Sequence, residues 1–224
     1  GVDALIVQDL ALLQMNLPPI PLHASTQMDN RTPEQVQWLA DMGYSQVVLA
    51  RECSLDQIRL IHEAVPQMPL EAFVHGALCV SYSGRCQASQ FCFSRSANRG
   101  QCAQFCRLPF SLVDAEGKVL AKEKYLLSLR DMNRTASLEK MMDAGIRSFK
   151  IEGRLKDVSY VKNVTAWYRR RIDEILRRRP EYGRASLGTV ELNFQPNPQR
   201  SFSRGFTEYF LHERTKMASF HTPK

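Results

Sequence analysis

Short runs of apolar residues recur along the chain, and most of them end in polar side chains. Five runs predict buried strands: VDALIVQD (2–9), PIPLHAST (19–26), QVVLARE (46–52), LEAFVHG (70–76) and RSFKIEGR (147–154). Their apolar positions are continuous rather than alternating, as is typical of strands covered on both faces. The pattern therefore predicts a parallel sheet with polar groups at the carboxyl ends of its strands.

Helical signals separate these strands. Thr32 as N-cap, Pro33 at the first position and Gln35 as a capping-box partner predict a first helix. A second helix, SLDQIRLIHEA, begins with another capping box at Ser54 and Gln57. Between strands four and five, the sequence predicts a hairpin that turns at Glu116–Gly117, followed by a short helix, SLEKMMDAG.

A long amphipathic helix is predicted from about residue 157 to residue 179, and the segment 180–224 gives no firm assignment. Strands that alternate with helices indicate βαβ units. Five strands fit either an open sheet or a (β/α)₈ barrel without its first units, and the strand ends of a barrel build its active site. The polar strand-end residues include His23, Arg51, Glu52, His75, Lys150, Glu152 and Arg154.

Composition indicates an ordinary globular protein, because 44% of the 224 residues are hydrophobic and 24% are charged. No apolar run reaches the roughly 18 residues of a membrane-spanning helix, and no secretory signal is visible. We therefore expect no membrane segment and a cytoplasmic location. The chain starts with Gly1 in the middle of a pattern, so we expect a fragment of a longer protein.

The net charge of +7 is distributed unevenly, since YRRRIDEILRRR (168–179) alone contains six arginines. A basic cluster of this kind can neutralise the phosphates of a nucleic acid. It can equally be a solvated face of a helix, and the sequence leaves both interpretations open.

Cysteines are concentrated in one stretch, with five of the six between residues 79 and 106. Clustered cysteines without an export signal favour metal or redox chemistry over disulfides. Cys79, Cys86, Cys102 and Cys106 could bind an iron–sulfur cluster or zinc, although the six-residue gap between the first two is unusual for zinc. Buried inert thiols are the alternative.

Several residues near these cysteines are ambiguous on spacing alone. We interpret Cys53 and Cys92 as packing residues. His75 is a candidate ligand, a candidate acid–base group or a satisfied core histidine. Four arginines could bind an anionic substrate or offset the charge of the thiolates: Arg85, Arg95, Arg99 and Arg107.

The motifs EAFVHGALCVSYSGRC, RSANRGQCAQFCR and SFKIEGR together resemble the collagenase-like peptidase family, peptidase U32. The resemblance covers most of residues 1–175. The RSANRG variant is most similar to the branch that makes 5-hydroxycytidine in 23S ribosomal RNA, and a sister branch hydroxylates a tRNA uridine.

The resemblance implies a (β/α)₈ barrel whose first three units precede residue 1. Residues 1–179 would be its last five units, including the cysteine loop (76–107), and residues 180–224 would begin a C-terminal extension. The resemblance also implies a [4Fe–4S] cluster on Cys79, Cys86, Cys102 and Cys106, with zinc as the alternative, and ribosomal RNA or its precursor as substrate. With RNA as substrate, we expect the arginine-rich helix, residues 168–179, to contact phosphates without reading the bases.

Prephenate, a small dicarboxylate, is the oxygen source that the resemblance implies, and the loop arginines are then candidates to bind it. We expect the catalytic residues to be His23, His75, Lys150, Glu152 and Arg154. Proteolysis, as the family name suggests, is a second hypothesis, although the sequence contains no HExxH or GxSxG motif. A zinc-stabilised RNA-binding module is a third.

Overall fold

The computed structural model describes residues 1–185, 188 and 190–212. Its strands, in chain order, are β1 (Leu5–Val7), β2 (Leu22–Ala24), β3 (Gln46–Val48), β4 (Leu70–Gly76), β5 (Phe110–Val113), β6 (Val119–Lys124), β7 (Asp131–Asn133), β8 (Ile146–Ile151) and β9 (Phe206–Thr207). Its α-helices are α1 (Pro33–Asp41), α2 (Leu55–Ala64), α3 (Ala88–Phe93), α4 (Leu138–Asp143) and α5 (Val158–Arg178).

The five predicted strands are confirmed and form one parallel sheet. Strands β1, β2, β3 and β4 pair in sequence order, and β8 pairs with β4. Sequential parallel strands joined by helices are the arrangement of an α/β protein. Within the described residues the sheet is open, since β1 and β8 are not paired with each other. The α/β class with a parallel sheet is confirmed, and the assignment of these five units to a larger (β/α)₈ barrel stays a prediction.

The two faces of the sheet differ in what covers them. Ala24, Val47 and Leu70 belong to the main core, which also contains apolar side chains from α1, α2, α4 and α5. Residues at the alternate positions, such as Ile6 and Phe73, face a large cleft instead. Because successive side chains of a strand point to opposite faces, one face is packed by helices and the other lines the cleft.

Helix starts follow the capping signals with one exception. The Thr32 side chain accepts a hydrogen bond from the Gln35 amide, as predicted for the N-cap of α1. The reciprocal half of that capping box is wrong, because the Gln35 side chain donates to the Met28 carbonyl at 2.6 Å. The capping box of α2 is confirmed, with both hydrogen bonds between Ser54 and Gln57 present.

Two short strands were not predicted. Strand β7 pairs antiparallel with the end of β4, and β9 pairs parallel with β7. Residues 206–207 thereby join the main sheet, and Leu211 packs in the main core, although both lie in the segment without a sequence assignment. The predicted hairpin is confirmed as β5 and β6, which form a separate two-stranded sheet. Within the described residues, no helix combines the length and the apolar character that a membrane crossing requires.

Gly76 ends β4 at the point where the chain enters the cysteine loop. Its φ of +104° is a conformation that favours glycine, and a Cβ atom here would lie 2.3 Å from the carbonyl oxygen of Glu152. The absence of a side chain lets the end of β4 contact the end of β8. The cysteine loop and the residues after β8 are thus held side by side.

Candidate active-site cleft

A cleft of about 640 Å³ lies over the helix-free face of the sheet and the carboxyl ends of its strands. Its wall is formed by strand residues, by residues that follow β2, β3 and β8, and by the cysteine loop. Polar groups from distant parts of the sequence meet here because parallel strands all end at the same edge. The predicted location of the site, at the strand ends, coincides with this cleft.

The cysteine loop brings its four candidate ligands to this cleft. Cys79, Cys86, Cys102 and Cys106 all line it, and all four are free thiols. Among the described residues, no three His, Cys, Asp or Glu side chains converge tightly enough for a single metal ion. The thiols therefore surround a shared space instead of meeting at one point.

Burial and neighbouring charges act on these thiols in opposite directions. Burial raises the pKa of Cys79, and the nearby Arg51 guanidinium opposes that shift. Burial likewise raises the pKa of Cys106, against the effect of Arg107. Each of the two thiols also feels the charge of Cys86, so the thiols are electrostatically coupled across the cleft.

Hydrogen bonds attach the cysteine loop to the strand ends. Glu52, which is buried, accepts hydrogen bonds from the Ser83 amide at 2.9 Å and from the Ser83 hydroxyl at 3.2 Å. On the opposite side, the Arg154 guanidinium donates to the carbonyl of Gly100. Since the loop is fixed at both places, its cysteines keep a defined position over the sheet.

Arg51 is a cationic side chain of the cleft that the sequence marked only as a strand-end residue. Its guanidinium lies 3.9 Å from the centre of the Phe73 ring, and its Nη2 atom is 3.4 Å from Glu152 Oε2. Burial lowers its pKa, whereas Glu152 and Cys79 raise it. Its Nε atom is buried without a hydrogen-bond partner. Such a guanidinium has unused capacity for an anion.

Three of the five predicted catalytic residues line the cleft. Lys150 Nζ contacts Glu71 Oε1 at 3.1 Å, Glu152 contacts Arg51, and Arg154 anchors the cysteine loop. Among the described lining residues, Glu152 alone carries a carboxylate, whereas six cationic side chains line the cleft. These are Arg51, Arg107, Lys150, Arg154, Lys156 and Arg204. Glu71 and Asp131 pair with Lys150 and Arg204, but the cleft keeps an excess of positive charge, because its six cations face three carboxylates in all.

Lys156 and Arg204 were not singled out from the sequence. Arg204 forms an ion pair of 3.2 Å with the buried Asp131, and Lys156 lies 4.4 Å from the Phe202 ring centre. Lys156 follows the last predicted strand, where the strand-end rule could have found it. Arg204 lies in the unassigned segment and carried no local signal.

His75 does not line the cleft but is buried beneath it, with 2% of its surface exposed. Its Nδ1 atom is 3.2 Å from the Tyr168 hydroxyl, and its ring packs near those of Tyr160, Tyr168 and Phe206. Burial lowers the pKa of His75 to about 4. Of the three interpretations that the sequence left open, the satisfied core histidine fits this environment, and a catalytic role remains a prediction.

The remaining predicted residues have different positions. His23 is half-buried in β2 and does not line the cleft. Arg107 lines it, but its guanidinium donates to Ser128 at 3.2 Å and to the carbonyls of Leu78 and Leu129. It therefore supports the wall. Three predicted substrate-binding residues lie on the exposed side of the cysteine loop: Arg85, Arg95 and Arg99.

The two cysteines interpreted as packing residues differ from each other. Cys53 is buried in the main core, as predicted, and burial raises its pKa to about 12. Cys92 is exposed, so its interpretation as a packing residue is wrong. The phenylalanines on either side of it suggested burial, but α3 lies at the surface, where they are exposed too.

The arginine-rich helix α5 lies outside the cleft, and most of its arginines are in ion pairs. Its ion pairs connect Arg169 to Asp173, Arg171 to Glu174, Arg178 to Glu139, and Arg179, just after the helix, to Glu139, Asp143 and Glu181. These carboxylates neutralise much of the positive charge that the sequence displays. The interpretation of α5 as an ion-paired helix face is therefore favoured.

The sequence model of peptidase family U32 matches residues 1–220. The chain belongs to the peptidase U32 family. It is 53% identical to the 23S rRNA 5-hydroxycytidine C2501 synthase of Escherichia coli (strain K12) over 100% of this chain and 34% of that protein. It is also 33% identical to a collagenase of Porphyromonas gingivalis, over 95% of this chain and 53% of that protein.

Another family member, the tRNA hydroxylation protein P1 of Bacillus subtilis, is 40% identical over 70% of this chain and 38% of its own length. The U32 chain thus spans between one third and about half of the length of these relatives. No solved structure is significantly similar to it.

Proposed function

We propose that the full-length protein is an RNA hydroxylase that forms 5-hydroxycytidine in 23S ribosomal RNA. The observation that carries this proposal is the convergence of four free cysteines and six cationic side chains on one cleft. The 53% identity with the rRNA 5-hydroxycytidine synthase across the whole chain supports the same conclusion. Ribosomal RNA, or its precursor, would be the substrate, and the enzyme would be cytoplasmic.

The four thiols fit a [4Fe–4S] cluster as cofactor. Such clusters are held by four Cys thiolates, and hydrogen bonds and nearby charges tune their potentials. The thiols of Cys79, Cys86, Cys102 and Cys106 surround a common space, and Arg51 and Arg107 supply positive charge next to them. Zinc, the alternative, needs four ligands about 2.3 Å from one ion, so the loop would have to contract around it.

When bound, the cluster would supply redox or Lewis-acid chemistry, and the chain would position the reactants. Hydroxylation replaces the hydrogen on C5 of cytosine with a hydroxyl group, a two-electron oxidation of the base. The oxygen donor would take up those two electrons as its bond to the transferred oxygen breaks, and the C5 hydrogen would leave as a proton. We assign to Arg51 the role of binding the carboxylate of the oxygen donor, for which prephenate is our candidate. Its buried guanidinium fork is well suited to bidentate carboxylate binding. Lys150, on the same face of the sheet, adds positive charge.

Glu152 is our candidate for the group that accepts the C5 proton. It is the carboxylate of the cleft, and Arg51 and the backbone amide of Arg154 hold it in position at 3.4 Å and 3.1 Å. A general base must be within hydrogen-bonding reach of the proton that it removes, and a fixed side chain meets that condition more readily than a mobile one.

The test compares Cys86→Ala with Cys92→Ala in the full-length protein. Each variant is purified without oxygen, assayed for iron, sulfide and visible absorption, and expressed in a strain that lacks the endogenous synthase. Mass spectrometry of 23S ribosomal RNA then measures 5-hydroxycytidine. We expect Cys86→Ala to lose both the cluster and the modification, whereas Cys92→Ala, which changes an exposed thiol away from the cleft, keeps both.

Two results would contradict the proposal. A colourless wild-type protein that contains stoichiometric zinc would favour the hypothesis of a zinc-stabilised RNA-binding module over that of a redox enzyme. If the wild-type protein contains iron but 23S ribosomal RNA stays unmodified, the cofactor assignment would stand and the proposed substrate would be wrong.

Proteolysis is the second candidate, because one relative is a collagenase and one Ser–His–Glu contact exists. The Ser137 hydroxyl lies 3.0 Å from His212 Nε2, and Glu208 also contacts that Nε2 atom, at 3.2 Å. A catalytic triad needs the carboxylate on the other ring nitrogen. Moreover, the Ser137 hydroxyl donates to Glu208 at 2.6 Å, and Ser137 is buried.

The contact of Ser137 with His212 therefore fits a structural role. Degradation of denatured collagen by the full-length protein, measured with and without Ser137→Ala, decides the point. Activity that Ser137→Ala abolishes would bring the peptidase hypothesis forward. If neither protein degrades collagen, the peptidase hypothesis would be wrong and the hydroxylase hypothesis would remain.

A further inference from the structure

We propose that the outer side of the cysteine loop is a docking platform for single-stranded RNA, with Phe91 as a base-stacking side chain and Arg95 and Arg99 as phosphate contacts. This inference rests on the proposed RNA substrate and specifies the surface that binds it. It moves the RNA contact from the arginine-rich helix α5 to the loop that carries the cysteines.

Phe91 is the starting observation, because 92% of its surface is exposed. A ring exposed to this extent is stabilised when a ligand covers it, and together with the half-exposed Phe93 it gives α3 an exposed apolar surface. The ring is carried by α3, which is well anchored: the Ser89 hydroxyl accepts a hydrogen bond from the Ala103 amide at 3.0 Å. Phe93, half exposed, packs on the cleft-lining Phe105 with ring centres 5.4 Å apart.

The position of α3 connects this ring to the cleft. Ala88 and Ser89 line the cleft, and the Ser89 hydroxyl lies 3.9 Å from the sulfur of Cys102. Phe91 follows two residues later and projects into solvent. Positions two residues apart point to opposite sides of a helix, so a base stacked on Phe91 would lie across α3 from the cleft, and the next few nucleotides of the strand would lead into it.

The charge of the loop indicates which kind of ligand covers the ring. Residues 76–107 contain four arginines and no aspartate or glutamate. Within the described part of the chain, Arg95 and Arg99 have no ion-pair partner, whereas Arg85 contacts Asp29 at 3.6 Å. Exposed arginines next to an exposed aromatic ring are the combination that binds single-stranded nucleic acids.

A single strand fits this surface better than a duplex. The bases of an A-form duplex are stacked on each other and their major-groove edges are inaccessible, whereas unpaired bases can be splayed onto aromatic side chains. Enzymes that modify a base must also remove it from its stack, and a stacked neighbour holds the strand while this happens. The platform therefore predicts a target base in an unpaired segment.

The experiment measures binding of the full-length protein to a fluorescein-labelled single-stranded RNA of about 12 nucleotides, by fluorescence anisotropy. We expect Phe91→Ala to weaken binding about 5- to 150-fold, because stacking of one base on an aromatic side chain contributes about 1–3 kcal/mol. Phe91→Tyr keeps a stacking ring and should bind within about twofold of the wild type. A duplex of the same length should bind more weakly than the single strand.

A salt series tests the arginines. Arg95→Gln and Arg99→Gln should each reduce the slope of log affinity against log salt by about 0.7, the value for one phosphate contact on a single strand. Arg178→Gln is the matched control, since Arg178 is in an ion pair with Glu139, and it should leave the slope unchanged.

Three results would overturn the platform. Phe91→Ala could bind as the wild type does, or Arg178→Gln could change the slope while Arg95→Gln does not. A third is a lower melting temperature for Phe91→Ala and Phe91→Tyr alike, which would mean that another part of the full-length protein covers the ring. Each can occur in a protein that still hydroxylates RNA, whereas a wild type that neither binds nor modifies RNA would remove the proposed function itself.

Discussion

Helix α5 and the cysteine loop are both rich in arginine, yet their arginines have different surroundings. Around α5, Arg178 and Arg179 contact Glu139, and Arg179 also contacts Asp143 and Glu181. The cysteine loop contains no acidic residue, and two of its arginines are exposed without an ion pair among the described residues. Charge density along the sequence favoured α5 as the RNA contact, whereas charge balance in three dimensions favours the loop.

The comparison shows why a run of like charges is a weak indication of a ligand. A phosphate that approaches an ion-paired arginine must compete with a carboxylate already in place, whereas an unpaired arginine gives up only water and counterions. The six arginines of residues 168–179 are noticeable because they are close in sequence. Their partners Glu139 and Asp143 lie in α4, which is distant in sequence, so the fold has to bring these carboxylates to the arginines before their charge is neutralised.

Gly76, at the junction between the sheet and the cysteine loop, gives the largest predicted effect. Gly76→Ala should reduce the free energy of unfolding by about 3 kcal/mol or more, because φ strain and a clash with the Glu152 carbonyl oxygen act together. Gly117→Ala is the control, since φ there is +83° but no atom lies within 4 Å of the added Cβ. Gly117→Ala should reduce the free energy of unfolding only by the cost of the unfavourable φ, about 1–2 kcal/mol. Equal losses in chemical denaturation would contradict the close-approach argument.

The inner face of α5 should show a pH dependence that comes from His75. His75 contacts Tyr168 of α5, and its pKa is lowered to about 4 from 6.5. Below pH 6.5 the unfolded chain binds a proton that the folded chain refuses, so stability falls as the pH decreases towards 4. The total loss is roughly 3 kcal/mol.

The measurement is the free energy of unfolding at several pH values for the wild type and for His75→Gln. The glutamine amide does not titrate, so the difference between the two proteins should change across this pH window and be constant above it. Parallel curves throughout would mean that His75 takes up its proton in the folded state as readily as in the unfolded one.

Local patterns predicted most of the main sheet. The predicted limits of β4 agree with the structure, and α1 and α2 begin at their predicted N-caps. Strands β7 (DMN) and β9 (FT) were missed because neither lies in a continuous apolar run, whereas the equally short β1, β2 and β3 do. Strand β7 exists because the end of β4 offers it a partner, and β9 exists because β7 does, which is a property of the fold and not of their own sequence.

The candidate site likewise contains residues that local patterns predicted and residues that they missed. The four cysteines were predicted to act together because a single loop carries them, and they do line one cleft. Arg204 reaches the same cleft from a segment with no recognisable pattern, and the burial of His75 depends on Tyr168, 93 residues later. Long-range contacts of this kind leave no trace in spacing or periodicity.

Glu52 provides a smaller test of how the cysteine loop is anchored. Glu52→Gln removes the negative charge from the side chain that accepts hydrogen bonds from Ser83, so the hydrogen bond to the Ser83 amide loses its charge assistance. We expect a loss of about 1–3 kcal/mol and faster hydrogen exchange in residues 76–107. Glu63→Gln, on the exposed side of α2, should change stability by less than about 0.5 kcal/mol. Unchanged exchange in the loop of Glu52→Gln would show that the other anchors suffice.

The smallest predicted effect concerns the ion pairs of Arg179, and it tests whether they merely neutralise the end of α5. Arg179 contacts Glu139, Asp143 and Glu181, all near the surface. Exposed ion pairs contribute little to stability, so Arg179→Gln should lower the melting temperature by less than about 3 °C. Because salt screens such pairs, the difference should shrink further at about 1 M NaCl. A large decrease that persists in salt would mean that Arg179 holds α5 to α4, and the acidic residues of α4 would then have a structural role beyond neutralisation.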